Sequence, residues 1–442
     1  MTAGRPAAML RLRQNDLDGR MMKKHNTDAR EVLLADLCYP DQIGQYGIPA
    51  AGEPYTKDKN RYLRITDISD DGLLLDADKK GVSGAIDERY FLSEGDVVFA
   101  RTGNSTGRSY LYDKNDGRLV YAGFLIKYKL DPTKVNPRYI HYFTQSAYYK
   151  AWVKNLSVGS TRGNISATTF AECPIYLPDR IRQDCLVDVL STIDRKIALN
   201  RKRIATLEAM AKEIYDYWFV QFDFPDAHGR PYKSSGGAMV YNPDLKREIP
   251  KGWKVRLLGE LMKTNAFSYN ERTLPSRIWY IDIAAVSNGV VSSKTEYDRD
   301  HAPGRARRIA KRGDTIWSSV RPNLRAYALV LNPQEDDVFS TGFTVLSPVD
   351  VPYGFLYLTV TTEAYVSYLV SRTGNSAYPA VLPSAFGEYE IAVPPKDLLD
   401  RFADQTERMF DLRQNCFDEI QSQTALRDFL LPLLMNGQVK VL

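Results

Sequence analysis

Histidine and cysteine are scarce, four of each in 442 residues. Cys38, Cys173, Cys185 and Cys416 lie far apart and make no C-x-x-C pair. That signals neither a disulfide framework nor a zinc site, and it fits free thiols in a reducing cytoplasm. His25, His141, His228 and His301 fall in no H-E-x-x-H or other ligand spacing, so no metal site is expected. The dipeptide Gly-Lys is absent, and with it the phosphate loop G-x-x-x-x-G-K-[ST]; G-x-G-x-x-G is absent too. Asn136-Pro137, Asn242-Pro243 and Asn332-Pro333 are each followed by a residue other than Pro, so the N-P-P-Y signature of amino-methyltransferases is missing. These absences predict no catalytic centre and no resident cofactor. No run approaches 18 uncharged apolar residues, so no membrane span is expected. The opening residues are broken by Arg and Asp and lack a secretory apolar region. Residues 1–29 read as an N-terminal extension and the chain as cytoplasmic.

What is present is a soluble globular profile, 44% hydrophobic and 26% charged, long enough for two to four domains. The net charge of +5 says little, but its distribution says more. Between Arg299 and Arg325 eight Lys and Arg face two Asp, interleaved with Trp317. Such a run leans toward a polyanionic partner.

The chain is written twice, with an offset of about 215–224 residues. Val32-Leu-Leu-Ala-Asp-Leu37 matches Arg256-Leu-Leu-Gly-Glu-Leu261. Ile65-Thr-Asp-Ile68 matches Tyr280-Ile-Asp-Ile283. Glu94-Gly-Asp-Val-Val-Phe99 matches Arg312-Gly-Asp-Thr-Ile-Trp317. Ala122-Gly-Phe124 matches Thr341-Gly-Phe343, and Phe170 to Pro178 matches Phe386 to Pro394. Each copy opens with short apolar runs bounded by Gly, Pro, Asn and Asp, which read as strands and turns. Residues 138–154 and 353–370 read as a helix beside each sheet.

A long helix closes each copy. Leu186, Leu190, Ile193, Ile197, Asn200, Ile204, Leu207, Ala211, Ile214 and Trp218 alternate by four and three, a heptad seam with one polar member. At ~1.5 Å per residue such a helix spans roughly 50 Å. The second helix is less regular: Leu399, Phe402, Met409, Cys416, Ile420, Leu430 and Leu434 form a stripe that Arg413, Gln423 and Arg427 interrupt. The expected organisation is α+β: two mixed globules, 30–179 and 250–395, a central spacer helix 180–220, a Gly/Pro/Ser linker 221–249, a C-terminal spacer helix 396–436 and a tail 437–442. If the two helices pair antiparallel, the duplicated chain gains a pseudo-twofold axis with a globule at either end. That arrangement suits a two-part duplex DNA site with unlike halves.

The stretch from Leu190 to Phe219 (LSTIDRKIALNRKRIATLEAMAKEIYDYWF), followed by Val220-Gln-Phe-Asp-Phe-Pro225, resembles the central region of type I restriction–modification specificity subunits. So does the segment from Tyr241-Asn-Pro to Glu248-Ile-Pro-Lys-Gly-Trp253. Gly159-Ser-Thr-Arg-Gly-Asn164 and Gly374-Asn-Ser376 fall where that family has a module-ending turn. The resemblance implies two target-recognition domains, each reading half of a split DNA target. It implies two spacer helices that dock two modification (methyltransferase) subunits, with motor-nuclease subunits joining the full complex. S-adenosylmethionine, ATP and Mg are then expected on those partners and not on this chain. The alternative is a specificity adaptor serving a different DNA-modifying or DNA-binding effector.

DNA contacts need Lys or Arg on phosphates, and Arg or Asn on guanine or adenine edges. The first candidate set is Arg101, Asn104, Ser105, Thr106 and Arg108, matched in the second copy by Ser318, Ser319, Arg321, Asn323 and Arg325. The second set is Thr161, Arg162 and Asn164, matched by Arg372, Asn375 and Tyr378. The helix stripes supply the docking candidates.

Overall fold

The computed structural model describes residues 29–76, 78–157, 164–373 and 379–439. Nearly all of the expected extension, with Thr161, Arg162, Asn375 and Tyr378, therefore lies outside the described residues. The chain divides into two compact units, residues 1–197 with 421–442 and residues 198–420.

The first unit contains strands β1 (Arg30–Leu33), β2 (Gln45–Tyr46), β3 (Glu53–Pro54), β4 (Asn60–Leu63), β5 (Lys80–Val82), β6 (Asp96–Ala100), β7 (Ser109–Leu111), β8 (Leu119–Tyr121), β9 (Leu125–Lys129) and β10 (Pro174–Leu177). One sheet runs β2-β9-β6-β7 and another β3-β5-β4-β8, while β1 pairs antiparallel with β10. The run Asp-Val-Val-Phe-Ala of β6 is buried throughout, as a strand flanked on both edges and covered on its faces must be. Helices α1 (Pro137–Phe143), α2 (Ala147–Ser157) and α3 (Ala167–Ala171) cover it, and Phe99 stacks on Phe170 at 5.0 Å.

The second unit repeats this scheme. It contains β11 (Met239–Asn242), β12 (Arg247–Pro250), β13 (Lys254–Leu257), β14 (Met262–Thr264), β15 (Arg277–Ile281), β16 (Val286–Ser287), β17 (Val290–Val291), β18 (Thr295–Asp298), β19 (Ala306–Arg308), β20 (Thr315–Ser318), β21 (Tyr327–Leu329), β22 (Asp337–Ser340), β23 (Phe343–Pro348) and β24 (Glu390–Val393). The order β14-β23-β20-β21 reproduces β2-β9-β6-β7, and β13–β24 reproduces β1–β10. In the remaining sheets β4 and β15 each take one antiparallel and one parallel neighbour. They differ at the edge: β3 extends the first unit's sheet beside β5, β19 the second's beside β22.

Two elements depart from expectation. The single helix read over 138–154 is α1 and α2, because Thr144 leaves the helical run and its hydroxyl donates to His141 O (2.8 Å). The one read over 353–370 is α5 (Tyr353–Val360) and α6 (Glu363–Ser371), where the Thr362 side chain caps α6 by accepting from Tyr365 N. The 221–249 segment is anchored and holds the β11–β12 hairpin. The Asp223 carboxylate accepts from the Ser234 backbone N (2.7 Å) and hydroxyl (2.6 Å), and Phe224 stacks on Tyr232 and Trp253.

Helix α4 (Arg180–Tyr215) ends in a π turn (Asp216–Val220), and α7 (Lys396–Met435) closes the chain. Each contributes one part to each unit, and in each unit the two run antiparallel. In the first, Leu186 and Leu190 share a core with Leu431, Leu434 and Met435. In the second, Ala211, Tyr215 and Trp218 share one with Leu399, Phe402 and Phe410. Ile193, Ile197 and Ile204 are buried, and Leu207 and Ile214 half-buried. Asn200 is 2% exposed and donates to Glu419 Oε2 at 2.8 Å, so the seam's polar member is paired. On α7, Leu399, Phe402, Cys416 and Leu434 are buried, as are Phe410 and Leu431 beside them, and the half-buried Met409 and Leu430 pack against the same cores. Arg413 and Arg427 do not interrupt the seam but lie within it, ion-paired to Glu208 and Asp194.

Candidate nucleic-acid interface

The first candidate loop joins β6 to β7, and its counterpart joins β20 to β21. Both hang from one hydrogen-bond frame. In the first unit Ala100 N donates to Arg108 O (2.8 Å), Arg101 N to Phe124 O (3.1 Å) and Ile165 N to Arg101 O (2.9 Å). In the second Ser318 N donates to Ala326 O (2.8 Å), Ser319 N to Gly342 O (2.9 Å) and Val381 N to Ser319 O (2.8 Å). The frame aligns Arg101 with Ser319 and Arg108 with Ala326, one residue later than the sequence match of Arg101 with Ser318. With that register, Gly103 (φ 73°) falls opposite Arg321 (φ 50°) and Gly107 (φ 87°) opposite Arg325 (φ 55°). The two loops share left-handed positions, filled by glycine in one unit and arginine in the other. The left-handed conformation costs a non-glycine residue about 1 kcal/mol or more.

The side chains differ in burial and in what they bond. Ser105 and Ser318 are buried, and the Ser318 hydroxyl donates to Val320 O (2.8 Å). The Thr106 hydroxyl donates to Gly103 O (2.7 Å) and Ser319 bonds Thr344 (2.8 Å), so both brace the turn. Arg108 donates to Asp70 (2.7 Å) and to Ile68 O (3.0 Å). Arg325 meets Glu363 through two bonds of 2.6 Å, and its guanidinium holds that carboxyl below the usual range. Asn104, Arg321 and Asn323 are exposed.

The two candidate sets meet. Arg101 Nε donates to Asn164 Oδ1 (3.0 Å), and its guanidinium lies 4.9 Å over the Tyr46 ring. In the second unit the backbone bond from Arg321 N to Pro379 O (2.8 Å) brings the loop beside the segment that follows 374–378. Arg372, which ends α6, lies over Tyr368 at 5.0 Å, with Glu388 at 3.8 Å. The basic run is partly neutralised: Arg307 faces Glu271 (3.7 Å) and Arg312 faces Asp411 (2.5 Å).

A hairpin turn backs each loop, and the sequence reading missed both. Residues 69–73 form the first, with Gly72 at φ 72°; Asn288-Gly289, between β16 and β17, forms the second, with Gly289 at φ 86°. The Asn-Gly dipeptide was the available signal for the latter. Asp70 and Glu363, which hold the two arginines, lie 38 residues from them and leave no local trace. Against Gly72 lies the His141 ring, whose ionisation burial pushes down to about 4. Among the described residues, no group of three or more His, Cys, Asp and Glu could hold a metal ion, and no helix is long and apolar enough to cross a membrane.

The two units offer the same loop frame twice, with different side chains. A family profile described as type I restriction modification DNA specificity domain matches residues 34–209. The MjaIX type I specificity subunit of Methanocaldococcus jannaschii is 23% identical over 312 residues, 69% of each chain. The HindI specificity subunit of Haemophilus influenzae is 22% identical over 409 residues, covering 79% of this chain and 87% of its own. The crystal structure of a type I S subunit from M. genitalium superposes with a TM-score of 0.57 at 16% identity, over 92% of this chain and 96% of that one. Residues 34–209 thus carry the type I specificity-domain pattern, and over most of its length the chain is similar to type I restriction enzyme specificity subunits.

Proposed function

We propose that this chain reads a bipartite, asymmetric duplex DNA target, one half per unit, for a type I restriction–modification complex, and is itself non-catalytic. The observation that carries this is the pair of loops on one frame, each presenting an exposed Asn (Asn104; Asn323) beside arginines. Asn and Arg are the side chains that pair bidentately with adenine and guanine. Because the residues differ at nearly every matched position, the half-sites differ too. Two modification subunits dock on α4 and α7, whose outer faces expose Leu199 and Met210, and Leu412, Leu426 and Phe429. Motor-nuclease subunits complete the complex. S-adenosylmethionine, ATP and Mg reside on these partners, in the cytoplasm.

The test is co-expression with a type I modification subunit and genome-wide mapping of methylated adenines by single-molecule sequencing. The expected result is a split motif with two unlike halves. Exchange of residues 250–394 then changes one half only. A stable complex that adds no methylation overturns the reading.

A further inference from the structure

The two arginines of the helix seam stand outside the loops' own contacts, yet each reaches the hairpin turn behind one of them. In the second unit Arg413, 1% exposed, donates from Nε to Glu208 of α4 (2.5 Å) and from a terminal nitrogen to Gly289 O (2.7 Å). Asn288 N and Gly289 N in turn donate to the carbonyls of Arg325 (3.0 Å) and Tyr327 (2.8 Å), where the loop re-enters its sheet. A Cβ at 289 (φ 86°) would lie 2.9 Å from the guanidinium and 2.8 Å from the Tyr357 hydroxyl, so a larger residue there has to push one of these side-chain ends aside. In the first unit Arg427 lies 3.5 Å from Asp194 of α4 and 3.6 Å from Asp71 in the turn 69–73. The next residue back, Asp70, holds Arg108 of the loop. Tyr142 closes this group by donating to Asp194 (2.6 Å).

Each unit thus contains the same sequence of contacts: a carboxylate on α4, an arginine on α7, a hairpin turn, a reading loop. The internal repeat does not account for it. Along the helices the shift that sets Ile420 on Ile204 and Leu434 on Trp218 is 216 residues, and it puts Arg413 opposite Ile197 and Arg427 opposite Ala211. A buried ion pair is weak evidence for stability, since apolar residues of similar volume often do as well. What it supplies is a fixed geometry.

We propose that Arg413 and Arg427 are positioning residues, each coupling the helix pair to the reading loop of its own unit; this rests on the DNA-reading function above. Base-edge hydrogen bonds need placement to about 0.5 Å, whereas phosphate contacts carry no sequence information and set affinity.

The test is selection by the full-length chain from a pool of random duplexes, followed by sequencing, for wild type, Arg413→Met, Arg413→Lys, Glu208→Gln and Arg427→Met. Arg413→Met is expected to reduce discrimination about tenfold, the worth of one bidentate base pairing, in one half-site only. Arg427→Met does the same in the other half. Low-salt affinity for the unselected pool stays within about threefold, because the phosphate contacts remain. Arg413→Lys, which keeps the charge but not the fork, falls between. A cooperatively melting Arg413→Met protein with wild-type preferences overturns the proposal, as does equal loss in both halves. If Arg413→Met does not fold, Arg413→Lys and Glu208→Gln carry the same two outcomes. A wild-type chain with no base preference overturns the DNA-reading function itself, and the positioning role with it.

Discussion

The two loops 101–108 and 319–326 differ in almost every side chain and share a backbone frame and two left-handed positions. Where the first places Gly103 and Gly107 at positive φ, the second places Arg321 and Arg325. Glycine takes that conformation without steric cost, while arginine takes it at a cost the surroundings must offset. The surroundings differ accordingly. Gly107 abuts Val153, so that a Cβ would come within 2.5 Å of it, whereas Arg325 projects to a carboxylate on α6. One frame thus carries either a tightly packed turn or a charged one, and side-chain choice at two left-handed positions separates them.

The largest effect expected is at Gly107. Gly107→Ala forces a methyl against Val153 in a conformation that disfavours it, and about 3 kcal/mol of stability should be lost on chemical denaturation. Its counterpart Arg325→Ala should cost no more than ~1 kcal/mol. Equal losses would break the comparison.

A second contrast lies behind the loops, where the first unit sets His141 against its glycine turn and the second sets Tyr357. Burial depresses the His141 ionisation to about 4, below the unfolded value near 6.5. The unfolded chain therefore binds the proton first, and stability present above pH 6.5 is lost as pH falls toward 4. By pH 5 the loss should be about 2 kcal/mol, absent in His141→Gln. Urea titrations at pH 7 and 5 check it; equal pH dependence in the variant removes the assignment.

Smaller effects sharpen the comparison at the DNA. Arg321→Ala should lower the slope of log K against log salt by about 1 and weaken binding to all sequences alike, while Gly103→Ala leaves the slope unchanged. Asn200→Leu should raise thermal stability by about 1 kcal/mol or less, since an apolar residue replaces a polar seam residue. A fall instead would mean that the bond to Glu419 contributes more than its burial costs.

Much of the fold was legible because its signals were local. The β6 and β20 runs, the Gly-Asp steps before them and the heptads of α4 carry their periodicity in adjacent residues. The α7 seam was misread because Arg413 and Arg427 look like surface residues until Glu208 and Asp194 come across from α4. The split of each covering helix turns on threonine hydroxyls bonding the helix's own carbonyls, which a hydrophobic pattern does not report. At the candidate site the loops could be found, but comparing them alone misses their registration. Loop against loop, Arg101 was set on Ser318, although the Gly-Asp steps before the loops run on without a gap to Arg101 on Ser319, the registration that the backbone bonds confirm. That Arg108 and Arg325 are held depends on Asp70 and Glu363, remote in sequence.

The pairing of β1 with β10, and of β13 with β24, means that each globule's chain enters and leaves side by side. In the second unit the closure is tight, since a Cβ on Gly259 would lie 3.2 Å from Gly387 Cα. A segment bounded by such a pair is a cassette. Where the following helix begins is then set by the two paired strands and not by the length of chain between them.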